Sequence, residues 1–157
     1  MTDMTNQMSV RGFQAQDKVW DEKIFHYLLM LEQRRSRRSY NPFALMLLNA
    51  MEESDPRRSV LQFAMPAITS SIRETDLIGW IENPRVLGII FTQVDLLRTG
   101  PDTMIPRARL ETALREKLGH ELTKTIAISL HVFPEYSGDL ETNSHPAERF
   151  AFSASSP

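Results

Sequence analysis

Four arginines fall within five positions at Arg34-Arg35-Ser36-Arg37-Arg38, and two more stand together at Arg57-Arg58. A guanidinium carries a planar fork of donors that fits a phosphate or a carboxylate. The run Arg34, Arg35, Arg37 and Arg38 is therefore a candidate patch for an anionic ligand or an acidic partner protein. Arginine outnumbers lysine 14 to 4 across the chain, which favours forked recognition over point charges. The competing reading is a solvated helix end, where cations complement the helix dipole. Nucleic acid is a poor fit, because no aromatic residues interleave with the arginines to stack on bases. In addition, 18 basic against 20 acidic residues leave a net charge of −2, with no overall field to draw a polyanion.

Other reactive residue types are scattered. The histidines, His26, His120, His131 and His145, include no pair at three or four residues, so a zinc site is not expected. Cysteine is absent, which excludes disulfides, thiolate metal sites, iron–sulfur clusters and thiol nucleophiles in one step. The glycines at 12, 79, 88, 100, 119 and 138 are too dispersed for a phosphate loop or a nucleophile elbow. Ser129 and His131 alternate along one predicted strand, where residues sharing a face are packing partners or solvent-facing far more often than an acid–base pair. No cofactor is expected.

The scaffold follows from periodicity. At 157 residues the chain suits one domain. Residues 1–16 are polar, lack the pattern of a signal peptide, and read as a flexible lead-in. Residues 17–134 read as the folded domain. Residues 135–157 read as a polar, poorly ordered tail, and the last 24 residues carry four acids and one arginine. The longest apolar run, Phe43–Leu48, is six residues, far short of the roughly 20 needed to span a bilayer, so no membrane insertion is expected and the cytoplasm is the expected compartment.

Within the domain, residues 18–38 place Val19, Ile24, Tyr27, Leu28 and Leu31 on one face, widened by Trp20 and Phe25, and predict a long opening helix. Asn41-Pro42 ends it, and the unbroken run Phe43–Leu48 reads as a central strand covered on both sides. Asp55-Pro56 looks like an N-cap with proline at the first helical position, followed by Val60, Leu61, Ala64, Ile68 and Ile72 on one helix face, kinked at Pro66. Leu77–Ile81 and Val86–Thr92 form a hairpin about Asn83-Pro84. A third helix starts near Pro106, carries Leu110, Ala113, Leu114 and Leu118, and stops at Gly119. Lys124–Phe133 alternates as a final strand. The order is a helix, then β-α-β-β-α-β. It predicts an α+β fold: a ferredoxin-like or palm antiparallel sheet with helices packed mainly on one face, preceded by a long N-terminal helix. Trp80 and Ile78 share one face of the hairpin. A second face left uncovered would be an apolar docking surface.

Glu32 with its following arginines, the strand 43–48, Arg73-Glu74-Thr75-Asp76-Leu77-Ile78-Gly79-Trp80 and Thr125–Leu130 occur in an order that resembles the GGDEF domains, diguanylate cyclases of the nucleotide cyclase palm fold. The likeness runs from about residue 28 to residue 133 and implies a bacterial signalling domain. Its signature position, separated from Asp76 by five residues, holds Glu82-Asn83-Pro84-Arg85-Val86. Asn49 stands where the resemblance implies a metal-binding aspartate. Two-metal phosphoryl chemistry requires carboxylates, and an amide with a cation cannot hold the ions, so no metal site and no cyclase activity are expected. Glu52, Glu53, Asp55 and Glu82 are the nearby acids that could rebuild a site. The resemblance further implies that Arg73-x-x-Asp76 binds cyclic di-GMP, whereas a two-residue motif by itself more often describes a local pair at a helix–strand junction. Two hypotheses follow: a non-catalytic regulatory module that binds a partner protein or forms a homodimer, or a sensor of cyclic di-GMP or another nucleotide through Arg73 and Asp76. The arginine cluster is expected beside the altered site.

Overall fold

Asp21 decides where the first helix begins: it sits in extended geometry and its carboxylate accepts from the Ile24 N–H at 2.9 Å. The computed structural model describes residues 18–51, 59–92 and 105–134. Its elements are β1 (Val19–Trp20), α1 (Glu22–Ser39), β2 (Phe43–Ala50), α2 (Val60–Ser71), β3 (Leu77–Glu82), β4 (Val86–Phe91), α3 (Ile105–Thr123) and β5 (Ile126–Phe133). The opening helix is thus shorter than its periodicity predicts, because Val19 and Trp20 pair with Ile78 and Gly79 as a parallel edge strand. Tyr40, in left-handed geometry at φ 56, ends α1 just before Asn41-Pro42. Asp55 and Pro56 lie outside the described residues, and the cap of α2 is Ser59, whose hydroxyl accepts from the Gln62 N–H. Pro66 stands inside α2 without ending it. At Gly119 (φ 78) the backbone leaves helical geometry, as its sequence position predicts, and a further turn carries α3 to Thr123.

The strands lie in the order β1-β3-β4-β2-β5. Every neighbouring pair except β1 with β3 is antiparallel. β2 and β3 flank β4, and β5 returns to the other side of β2, which is the expected ferredoxin-like arrangement with one short parallel strand added. The uninterrupted apolar run of β2 has its reason here. Ala44, Met46, Leu48 and Ala50 meet Leu61, Ala64, Met65 and Ile68 of α2 and Leu110, Leu114 and Leu118 of α3. Phe43, Leu45 and Leu47 turn to the opposite face and pack with Phe25 and Leu29 of α1. Two helices cover one face and α1 lies on the other, so the second face is not the open surface that an uncovered sheet would present. Trp80 and Ile78 are buried on the α2–α3 side.

The orientation of α1 departs from the sequence reading. Phe25, Leu29 and Ser36 are its buried residues. Trp20, Ile24, Tyr27 and Leu31, which carry much of the apparent apolar face, are exposed. Two glycines decide this. Gly79 of β3 and Gly88 of β4 are cross-strand partners, and a Cβ on either would stand 2.4 Å or 2.5 Å from the Phe25 ring. The bare backbone of this pair forms a floor on which the ring lies, fully buried. Burial of one such side chain is worth about 1.5–3 kcal/mol, enough to select the face of α1 that turns inward.

Candidate functional site

Sheet register brings the end of β2 against the β3–β4 turn. Asn49 is opposite Val86 on one side and Ala127 on the other, and the Ala50 N–H donates to the Arg85 carbonyl at 2.9 Å. Asn49 and Arg85, 36 positions apart in the chain, therefore flank one end of the sheet, as the resemblance requires. Asn49 is the single exposed residue of β2, on the α1 side. Glu82 and Arg85 approach to 4.0 Å across the turn with both side chains well exposed, and such a pair contributes little.

The turn is held by the chain itself. The Asn83 N–H donates to the Glu22 carboxylate at 2.7 Å, and the Ser59 hydroxyl donates to the Pro84 carbonyl at 3.1 Å. The Arg85 N–H closes back on the Glu82 carbonyl at 2.7 Å. His26 Nε2 stands 3.0 Å from the Ile81 carbonyl, which can only accept, so that nitrogen carries the proton. Helices α1 and α2 thus each pin one residue of the turn, and its backbone donors at Asn83 and Arg85 are already engaged. At the two positions that the resemblance marks, an amide stands at 49 and a cation at 85, with the exposed Glu82 carboxylate beside them. Among the described residues no group of three His, Asp or Glu side chains could hold a metal. Glu52, Glu53, Asp55, Arg57 and Arg58 lie outside the described residues.

Arg73 and Asp76 lie at the opposite end of the sheet, between α2 and β3. The Arg73 N–H donates to Asp76 Oδ2 at 2.8 Å, and the Asp76 N–H returns to the Arg73 carbonyl at 3.1 Å. The carboxylate is therefore committed to backbone, and the exposed Arg73 guanidinium makes no ion pair with it. Burial pushes the Asp76 carboxyl above its usual range, against the lowering influence of the Arg73 N–H and guanidinium. A carboxyl with a raised folded-state pKa contributes its stability in full below the unfolded pKa and loses it as pH rises through the folded value. Asp76→Asn keeps an acceptor oxygen and removes the charge. In urea melts it is expected to equal or exceed the wild type at neutral pH, with the difference vanishing in acid. Asp76→Ala, lacking the acceptor, is expected to lose about 1 kcal/mol at both.

The arginine cluster is not beside the β3–β4 turn. Glu22, in the first turn of α1, contacts the hairpin, whereas Ser36 is buried near its other end and its hydroxyl donates to the Phe133 carbonyl at 3.4 Å. Phe133 pairs with Phe43 and stacks on its ring at 5.0 Å, and Phe43 begins the strand that Asn49 nearly ends. At a rise of roughly 3.3 Å per residue the two ends of β2 are roughly 23 Å apart. Arg34, Arg35, Arg37 and Arg38 are all exposed, with Arg35 forked onto Glu32 at 2.6 and 3.0 Å. Ser129 Oγ and His131 Nε2 are 3.1 Å apart on the edge strand β5.

Sequence reasoning missed the groove between α2 and α3, about 490 Å³, whose lining includes Ser70, Ser71, Ala108, Arg109, Thr112 and Ala113. Its hydroxyls donate back to carbonyls of their own helices, so they are not aimed at a ligand. It missed the clamp on the turn as well. Glu22 is 61 residues from Asn83 and Ser59 is 25 from Pro84, separations with no local signature.

No protein-family model matches the sequence, and no curated protein matches it. Solved structures do. A diguanylate cyclase protein from Thermotoga maritima aligns over 78% of this chain and 87% of its own, with a TM-score of 0.57 at 17% identity. The diguanylate cyclase SiaD of Pseudomonas aeruginosa, solved in complex with its activator SiaC, aligns over 73% of this chain at a TM-score of 0.51 and 19% identity. This chain spans just under half of it, 46%. The GGDEF domain of YfiN from the same organism gives 0.53 at 13% identity, over 74% of this chain and 77% of that one. Identities this low speak to fold alone: in architecture the chain is similar to the GGDEF palm domains.

Proposed function

We propose that this chain is a non-catalytic GGDEF-like domain that serves bacterial cytoplasmic signalling by binding a partner protein or a second copy of itself. The observation that carries the reading is the hairpin end of the sheet. Asn49 and Arg85 lie together there, on our reading at the two places where the resemblance calls for metal-holding carboxylates, and the Asn83 N–H that borders them is taken by Glu22. A palm fold without this chemistry retains its surfaces, and SiaD, with the same fold, is solved with an activator protein bound. Incubation with GTP and magnesium or manganese is expected to yield no cyclic dinucleotide, and any yield proportional to enzyme overturns the reading.

A second reading is a cyclic di-GMP sensor at Arg73 and Asp76, favoured by the exposed Arg73 guanidinium, which makes no salt bridge among the described residues. Commitment of Asp76 to the Arg73 backbone removes half of that site. A calorimetric titration with cyclic di-GMP is expected to show no micromolar binding. Saturable heat that disappears in Arg73→Ala would establish the sensor instead.

A further inference from the structure

We infer that the arginine cluster at the end of α1 is an intramolecular docking site for the acidic segment 135–141 of the same chain, which any acidic ligand must displace. The inference goes beyond the proposed function and holds whether or not the domain turns over GTP. Arg34, Arg35, Arg37 and Arg38 are all exposed, and Arg35 is already forked onto Glu32. Among the described residues Arg34, Arg37 and Arg38 enter no salt bridge. Four arginines against one glutamate leave the last two turns of α1 with three positive charges in excess. The helix C-terminus answers only roughly half of one charge, so the dipole does not account for the cluster.

Position and charge together identify the occupant. Ser36 lies buried in the middle of the cluster, and its hydroxyl donates to the carbonyl of Phe133, the last residue of β5. Stacking of Phe133 on Phe43 fixes that strand end. The chain then runs through Pro134 into Glu135, Asp139 and Glu141, which lie outside the described residues, and no Lys or Arg follows before Arg149. Seven residues reach at most about 25 Å. All four arginines stand within one helical turn of Ser36, so these carboxylates start beside the guanidiniums and cannot travel far from them. Spacing agrees as well. Arg34 and Arg38 are about 6 Å apart along the helix, and the alternate residues Asp139 and Glu141 would present their carboxylates about 6.6 Å apart on one side of an extended chain. An isolated exposed pair contributes little, but three acids delivered on so short a tether meet the cluster at an effective concentration in the range of about a millimolar.

The test uses the full chain and fluorescein-labelled hexaglutamate as the probe, at low salt. Neutralising the segment with Glu135→Gln, Asp139→Asn and Glu141→Gln is expected to tighten hexaglutamate binding by about tenfold, because the competitor in the same chain is gone. In a background of Arg34→Gln, Arg37→Gln and Arg38→Gln the same neutralisation is expected to change nothing. The native chain has no cysteine, so a nitroxide on Thr142→Cys reads the contact directly. It is expected to broaden the amide signals of residues 34–38 strongly in the native segment, and much less in the neutralised one or in half-molar salt. Equal hexaglutamate affinity with and without the three acids overturns the inference. So does a gain that persists without the arginines, which would be an effect of net charge alone, or a neutralised chain that fails to bind the probe. Broadening that is the same in both segments overturns it too.

Discussion

Alanine at Gly79 or at Gly88 is expected to destabilise the domain by about 1–3 kcal/mol, far more than an added methyl costs in an open strand. The new Cβ would meet Phe25 Cδ2 at 2.4 Å from position 79, or Phe25 Cε1 at 2.5 Å from position 88, and no real Cβ tolerates such distances. Either α1 lifts or the ring leaves its rotamer. Lifting α1 also loosens the Glu22 hold on Asn83 and the contact of His26 with Ile81, so the effect reaches the β3–β4 hairpin. Phe25→Ala is expected to cost about 3–5 kcal/mol, since the vacated space lies over bare glycine backbone with no side chain beneath to refill it. The pair makes a double-mutant cycle in urea denaturation. In the Phe25→Ala background the Gly79→Ala penalty should all but disappear, because the methyl then enters empty space. A penalty of equal size in both backgrounds would show that close approach to the ring is not its cause.

Neighbouring positions on β2 are expected to behave in opposite ways. Leu48, fully buried between the sheet and α2 and α3, should lose about 2–5 kcal/mol on replacement by alanine, because the surrounding side chains from three elements cannot all move to fill the cavity. Asn49, one residue on, is exposed, and Asn49→Asp should shift stability by no more than about 0.5 kcal/mol. The comparison bears on function. Placing a carboxylate at 49 should leave the fold intact, and on the proposed reading the variant should still form no cyclic dinucleotide from GTP and manganese, since Arg85 and the turn held by Glu22 and Ser59 are unchanged. Chemical denaturation and a product assay on the two variants check both halves, and turnover in Asn49→Asp would mean that one lost carboxylate was the whole defect.

Strong local signals carried through to the structure. The six-residue apolar run of β2, the hairpin about Asn83-Pro84, the alternation of β5 and the break at Gly119 each depend on residues within one element, and each is where its pattern places it. The helix starts were less legible. Trp20 and Val19 fit a helical face as well as a strand, and only pairing with Ile78 and Gly79 makes them β1. The buried face of α1 is illegible in the sequence for a related reason. Ile24, Tyr27 and Leu31 outnumber Phe25 and Leu29, but periodicity cannot see that two glycines from other strands leave a slot fitting one phenyl ring.

Of the candidate sites, the types at 49 and 85 and the spacing of Arg73 and Asp76 could be read directly. That Asp76 answers to the Arg73 backbone, and that the arginine cluster lies at the far end of the sheet from Arg85, depend on where α1 and α2 run. By itself the sequence determined the composition of every site and the order of the elements, because both are properties of neighbours along the chain. The tertiary structure alone decided which side chains meet and which apolar stripe is left facing outward. Those outcomes follow from sheet register and from the close approach of α1 to a glycine pair, contacts that local propensity does not encode.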